Sequence, residues 1–173
     1  MKRIIKAFLI LFFSAGRALT SFAQSHVITT VSAAVITPIS IIKNVDMSFG
    51  NVAVSPTVAG AAILSPSGTR TTGGAGGVTL PATAGTVTAA SFTVLGQANY
   101  TYAITLPGSC TIYDGSGNTI TGNAFTSSPS SSGLLSISGT QVLNIGATLN
   151  FAAGQPAGSY TNASGLPVTV NYN

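Results

Sequence analysis

Residues 141–153 read QVLNIGATLNFAA. Leu143, Ile145, Ala147, Leu149 and Phe151 are apolar, and Asn144, Gly146, Thr148 and Asn150 separate them. A period of two places all five apolar side chains on one face of an extended strand. The same alternation recurs on either side. Phe92 and Val94 share a face in ASFTVLG (90–96), and Tyr100, Tyr102, Ile104 and Leu106 share one in YTYAITL (100–106). In LPVTVNYN (166–173), Val168, Val170 and Tyr172 do the same. These rows predict the inner faces of packed sheets, with a core resting on Phe49, Phe92, Tyr102, Leu149 and Tyr172.

Further strand-like runs are HVITTVSAAVI, ISIIKNV, DMSFGNVAV, AAILS, GVTL, SCTIY and LLSISG, bounded by Gly, Pro and Asn. No helical periodicity follows the first residues, and Glu is absent from the chain. Short strands at a spacing of about ten residues predict an all-β fold, an immunoglobulin-like antiparallel β-sandwich. SPSGTRTTGGAGG (65–77) and TSSPSSSG (126–133) read as loops.

The first residues follow different rules. MKRIIK is basic, AFLILFFSA is apolar, and SFA gives a small-x-small site before Gln24. This is the pattern of a secretory signal peptide over residues 1–23, with an apolar run far below the ~20 residues of a membrane span. Residues 24–35 then form an N-terminal extension or a first strand, and 36–173 the sandwich domain. Cleavage removes Lys2, Arg3, Lys6 and Arg17, leaving Lys43 and Arg70 against Asp46 and Asp114. Two scattered cations cannot make a phosphate-binding surface, so nucleic acid is not an expected partner. The chain has one cysteine, Cys110, so no internal disulfide is possible.

Titratable chemistry is sparse. General acid–base work needs ionisable groups held together, and residues 24–173 offer His26, Asp46, Cys110, Asp114 and tyrosines. Nothing in the sequence joins Asp46 to Asp114 as a carboxylate pair. Neither catalytic nor metal or cofactor residues are expected. Asp114 opens DGSGNTI, but a calcium loop would need Gly where Thr119 stands and Glu where Phe125 stands. A hairpin turn on Asp-Gly is the better reading. Cys110 reads as a small, buried, apolar residue, Lys43 as solvated, and Arg70 as a loop-tip charge that aids solubility.

ITPISIIKNVDMSFGNV, SFTVLGQANYTYAITLP and LNIGATLNFAAGQPAGSYTNASGLPVTVNYN together resemble a bacterial secreted family known as domain of unknown function 4402. The shared landmarks are Phe49-Gly50, Phe92 with Val94 and Gly96, Gly146 with Leu149, Gly158 with Tyr160, and Val168 to Tyr172. One departure is Asn162, where the family often carries Gly. A looser similarity is to fimbrial subunits of chaperone–usher pili, which commonly end in an alternating strand with a penultimate Tyr and a Gly fourteen residues before it. Gly158 and Tyr172 stand in that relation here. This resemblance implies a sandwich short of one strand, completed by a neighbour's N-terminal extension. Val27, Thr29, Val31, Ala33 and Val35 alternate as such a donor would, or as a first strand paired within its own chain would.

The expectation is therefore a secreted, non-enzymatic surface protein of the periplasm, cell surface or fimbrium. It would be a pilin-like subunit that associates with itself or related subunits, with a periplasmic chaperone as a further partner. Assembly residues would be Val27, Thr29, Val31, Ala33, Val35, Gly158, Val168, Val170 and Tyr172. The alternatives are a monomeric adhesive or carbohydrate-binding module and, third, an outer-membrane barrel, for which aromatic girdles are short.

Overall fold

The computed structural model describes residues 24–162 and 164–173. The expected signal peptide lies outside them. Among the described residues there are fourteen strands and no helix. In chain order they are β1 (Ser40–Val45), β2 (Ser48–Phe49), β3 (Ala53–Val54), β4 (Gly60–Leu64), β5 (Arg70–Gly73), β6 (Val78–Thr79) and β7 (Val87–Thr88). There follow β8 (Ala90–Leu95), β9 (Thr101–Thr105), β10 (Ser109–Tyr113), β11 (Thr119–Ser128), β12 (Ser132–Leu134), β13 (Thr140–Phe151) and β14 (Thr169–Tyr172).

The alternating run from Leu143 to Phe151 lies in β13, the axis of the molecule. Its first half pairs with β8, its second half with β4, and β11 runs along its other edge. With β1, β5 and β10 these make a seven-stranded antiparallel sheet. A second, three-stranded sheet has the order β12-β9-β14. Two short ladders, β2 with β7 and β3 with β6, complete the fold. The chain is thus an all-β, antiparallel sandwich.

Two cores lie on the inner face of the large sheet. The first joins Ala90, Val94, Leu143 and Ile145 of the large sheet to Tyr102 and Val170 of the small one, with Leu135 from the loop after β12. Val94, Tyr102, Leu135, Leu143 and Ile145 are each 0% exposed. Tyr102 is buried with its polar end satisfied, since its hydroxyl donates to Gln141 Oε1 at 2.8 Å. The second core gathers Ala62, Val78, Ile120, Leu149 and Phe151. No sheet covers it. Phe49, Val52, Val54, Leu80 and Tyr160 pack on it from short strands and loops.

Of the expected core residues, Tyr102 and Leu149 are buried, whereas Phe49, Phe92 and Tyr172 are half-buried. Several loop and strand expectations also need correction. Arg70–Gly73 of the glycine-rich stretch pairs with β4, because the threonines there suit an edge ladder. Thr126–Ser128 continue β11. In LLSISG only Leu134 is strand; Leu135 turns inward and Ile137 is exposed, because Ser136 and Gly139 close a turn. Residues 24–35 contain no strand, and Val27, Thr29, Val31, Ala33 and Val35 are all exposed.

Candidate functional site: an open groove before the last strand

β14 pairs only with β9, so one of its edges carries no partner among the described residues. β1 likewise closes one end of the large sheet. The two meet at one side of the sandwich, where Ile39, Ile41 and Val168 pack on the first core. Tyr172 fastens this end. Its hydroxyl donates to the Thr37 carbonyl at 2.7 Å and accepts the Gln97 amide at 2.5 Å. A Cβ at Gly96 would collide with that hydroxyl, which gives the glycine a physical reason.

Along the chain from this clamp, the same side opens. The segment that leaves β1 and the segment that leads into β14 stand apart as two walls of a groove of about 1230 Å³. Met47, Phe49, Val52 and Val54 line the first wall; Tyr160 and Leu166 line the second. The floor is the inner face of the large sheet, with Phe92, Ile112, Ile120, Leu149 and Cys110. Phe125 also reaches the floor. β11 bulges between Asn123 and Thr126, with Ala124 at φ 48°, and this throws Phe125 inward out of strict alternation. The groove is apolar along its floor. Its only ionised groups are Lys43 and Asp46, which pair with each other at 2.7 Å in solvent.

The expected site residues separate into three places. Val168, Val170 and Tyr172 form the inner face of β14 and its approach, with Val170 buried. Gly158 lies in the second wall, beside the Asp114 side chain. Val27, Thr29, Val31, Ala33 and Val35 stand exposed in the extension. Asn162, the departure from the family pattern, makes a turn of its own: its Oδ1 accepts the Ser164 amide and its Nδ2 donates to the Gly165 carbonyl.

Asp114 caps its own hairpin, accepting the Ser116 and Asn118 amides on Oδ1. The Asn118 side chain, first, and those amides hold its carboxyl below the usual range. The Asp-Gly pair opens the expected hairpin turn, a five-residue loop from Asp114 to Asn118 between β10 and β11. Burial raises the Cys110 thiol, against a smaller opposing effect of the Gly122 backbone. No cluster of three or more His, Cys, Asp or Glu exists among the described residues. No helix among them is long and apolar enough to cross a membrane.

Arg70 overturns its expectation. It is half-buried, and its Nη1 donates to the carbonyls of Phe49 and, at 2.6 Å, Asn51. No sequence signal marks this, because the acceptors are main-chain groups about twenty residues away.

Compared with known proteins, the chain finds no match among curated proteins and none among solved structures. Residues 39–172 match the family described as Domain of unknown function (DUF4402), a span that holds both sheets, both cores and the groove, and the chain belongs to that family.

Proposed function

We propose that the protein is a secreted, non-enzymatic structural subunit of a bacterial surface, pilin-like, that assembles by strand pairing. In this reading the sandwich is immunoglobulin-like and short of one strand. The extension of one copy, residues 24–35, lies in the groove of the next and pairs with the free edge of β14. A periplasmic chaperone would hold the same edge before assembly. The observation that carries the reading is the groove itself: an apolar floor left open before an unpaired last strand. An exposed edge over an apolar opening is a liability for a solitary protein and a socket for an assembling one. The extension is a chemical match, because its alternating Val and Ala residues would be buried without stranding a charge.

The test uses residues 24–173 and a synthetic peptide of His26–Val35. Size-exclusion chromatography should show concentration-dependent oligomers, which the peptide caps and shortens. The Val31→Asp chain should stay monomeric, because its own extension would bury a carboxylate. It should still accept wild-type peptide, with a melting temperature that rises with peptide concentration by mass action, ~2.7 kcal/mol at a hundred times Kd. A chain that stays monomeric at every concentration and ignores the peptide would exclude the proposal.

A further inference from the structure

The first wall of the groove is weakly built for what it carries. Phe49, Val52 and Val54 cover the second core from this wall. The wall is tied to the rest of the domain by two ladders of two residues each, β2 with β7 and β3 with β6. Between the ladders the chain turns at Gly50, whose φ is 63° and whose missing side chain leaves room for the Ala84 carbonyl. This turn aims the Phe49 and Asn51 carbonyls to the same side. Arg70, on the edge strand β5, places one nitrogen between them. Asn51 is held further by its amide on Ala84 O and its Nδ2 on Thr83 O. No carboxylate pairs with Arg70 among the described residues.

We propose that Arg70 is the positioning residue of the groove: its guanidinium holds the Phe49–Val54 wall at the separation that a strand needs. The chemistry suits the task. A guanidinium offers several donors in one rigid plane. Two aligned carbonyls facing one cation form charge-assisted hydrogen bonds, stronger than neutral ones. A charge bound to main-chain dipoles is also indifferent to which side chains the wall displays. The role in strand uptake rests on the assembly reading above; the hold on the wall does not, and the experiment separates them.

The reporter is built in. Cys110 is the chain's only thiol, and it lines the floor of the same groove. Residues 24–173 are compared as wild type, Arg70→Met and Arg70→Lys, with alkylation of Cys110 by a bulky maleimide timed under native conditions. Arg70→Met should raise the rate about tenfold or more, and Arg70→Lys should stay within about threefold of wild type. A control, Ile145→Ala, has its lesion in the first core and gives the rate that global loosening alone produces. An Arg70→Met rate unchanged from wild type, or no higher than a control of equal melting temperature, overturns the proposal. Should Arg70→Met fail to fold, Arg70→Gln is read by hydrogen exchange in place of Arg70→Lys, because the amide lacks the charge. The Asn51 amide should then exchange several-fold faster while the Val94 amide does not change, and equal protection of Asn51 in wild type and Arg70→Gln overturns the proposal. Affinity for the His26–Val35 peptide is measured alongside. A faster Cys110 with peptide affinity lowered about tenfold supports both readings. A faster Cys110 in a protein that never binds peptide retains the latch and removes the assembly.

Discussion

The two cores of this sandwich are built on one strand and finished in different ways. The first is closed sheet against sheet, and five of its side chains are fully sealed. The second has an equally apolar floor, but its roof is two-residue strands and loops, and Ile120, Leu149 and Phe151 keep 4–7% exposure. The residues are of the same kind in both places. What differs is what covers them, so the covering layer, not the kind of residue, distinguishes the two cores.

That contrast has measurable consequences. The largest should come from the sealed core. Ile145→Ala should cost ~4 kcal/mol, near the upper end for a fully packed aliphatic residue, and lower the melting temperature most. In the roofed core, Leu149→Ala should cost only ~2–3 kcal/mol, because loops can settle into the space where sheets cannot. Phe92→Ala, half-buried on the groove floor, should fall between them. Thermal unfolding of the three variants checks the ranking; equal losses would erase the distinction between the cores.

A smaller effect should come from the clamp. Tyr172→Phe removes a donor to Thr37 and an acceptor for Gln97, at ~1–2 kcal/mol for two hydrogen bonds. Gly96→Ala should do at least as much, since the new methyl and the hydroxyl compete for one place. Double-mutant analysis should find the two losses far from additive; additive losses would show that Gly96 has another role.

The smallest should be Asp114→Asn. The Asp114 carboxyl is held below its usual value when folded, so it contributes stability above about pH 4, and that contribution fades as pH falls through the folded value. Wild type and variant should therefore differ at pH 7 and converge in acid. A gap that persists once the folded carboxyl is protonated would mean that the cap acts through shape, not charge.

The sequence made the sealed core readable and left the groove obscure. Leu143 to Phe151 announce their inner face because period-two alternation is a local pattern, and the large sheet follows it residue by residue. Phe125 breaks that period through a bulge, so its inward turn left no trace in the alternation. Phe49 and Phe92 read as core because aromatic residues usually are, yet how far each is covered depends on a partner layer that no local pattern encodes. Arg70 is hidden from the sequence for a related reason. Its glycine-rich surroundings look like loop, while its acceptors are carbonyls, which every residue carries and no sequence distinguishes.

β13 has one more consequence, in the order of events. Leu64 finds its ladder partner in Ala147, Gly60 finds Phe151, and Leu95 finds Thr140. A chain made from its N-terminus has therefore laid out β4 and β8 long before the strand that joins them exists. Closing such distant pairs is slow, because loop entropy is lost before any contact repays it. Until Phe151 is available, β4 has no central strand to pair with, and apolar strands wait with open edges, the state most prone to misassociation. Once β13 docks it serves both cores together, so they should appear in a single kinetic phase rather than one after the other.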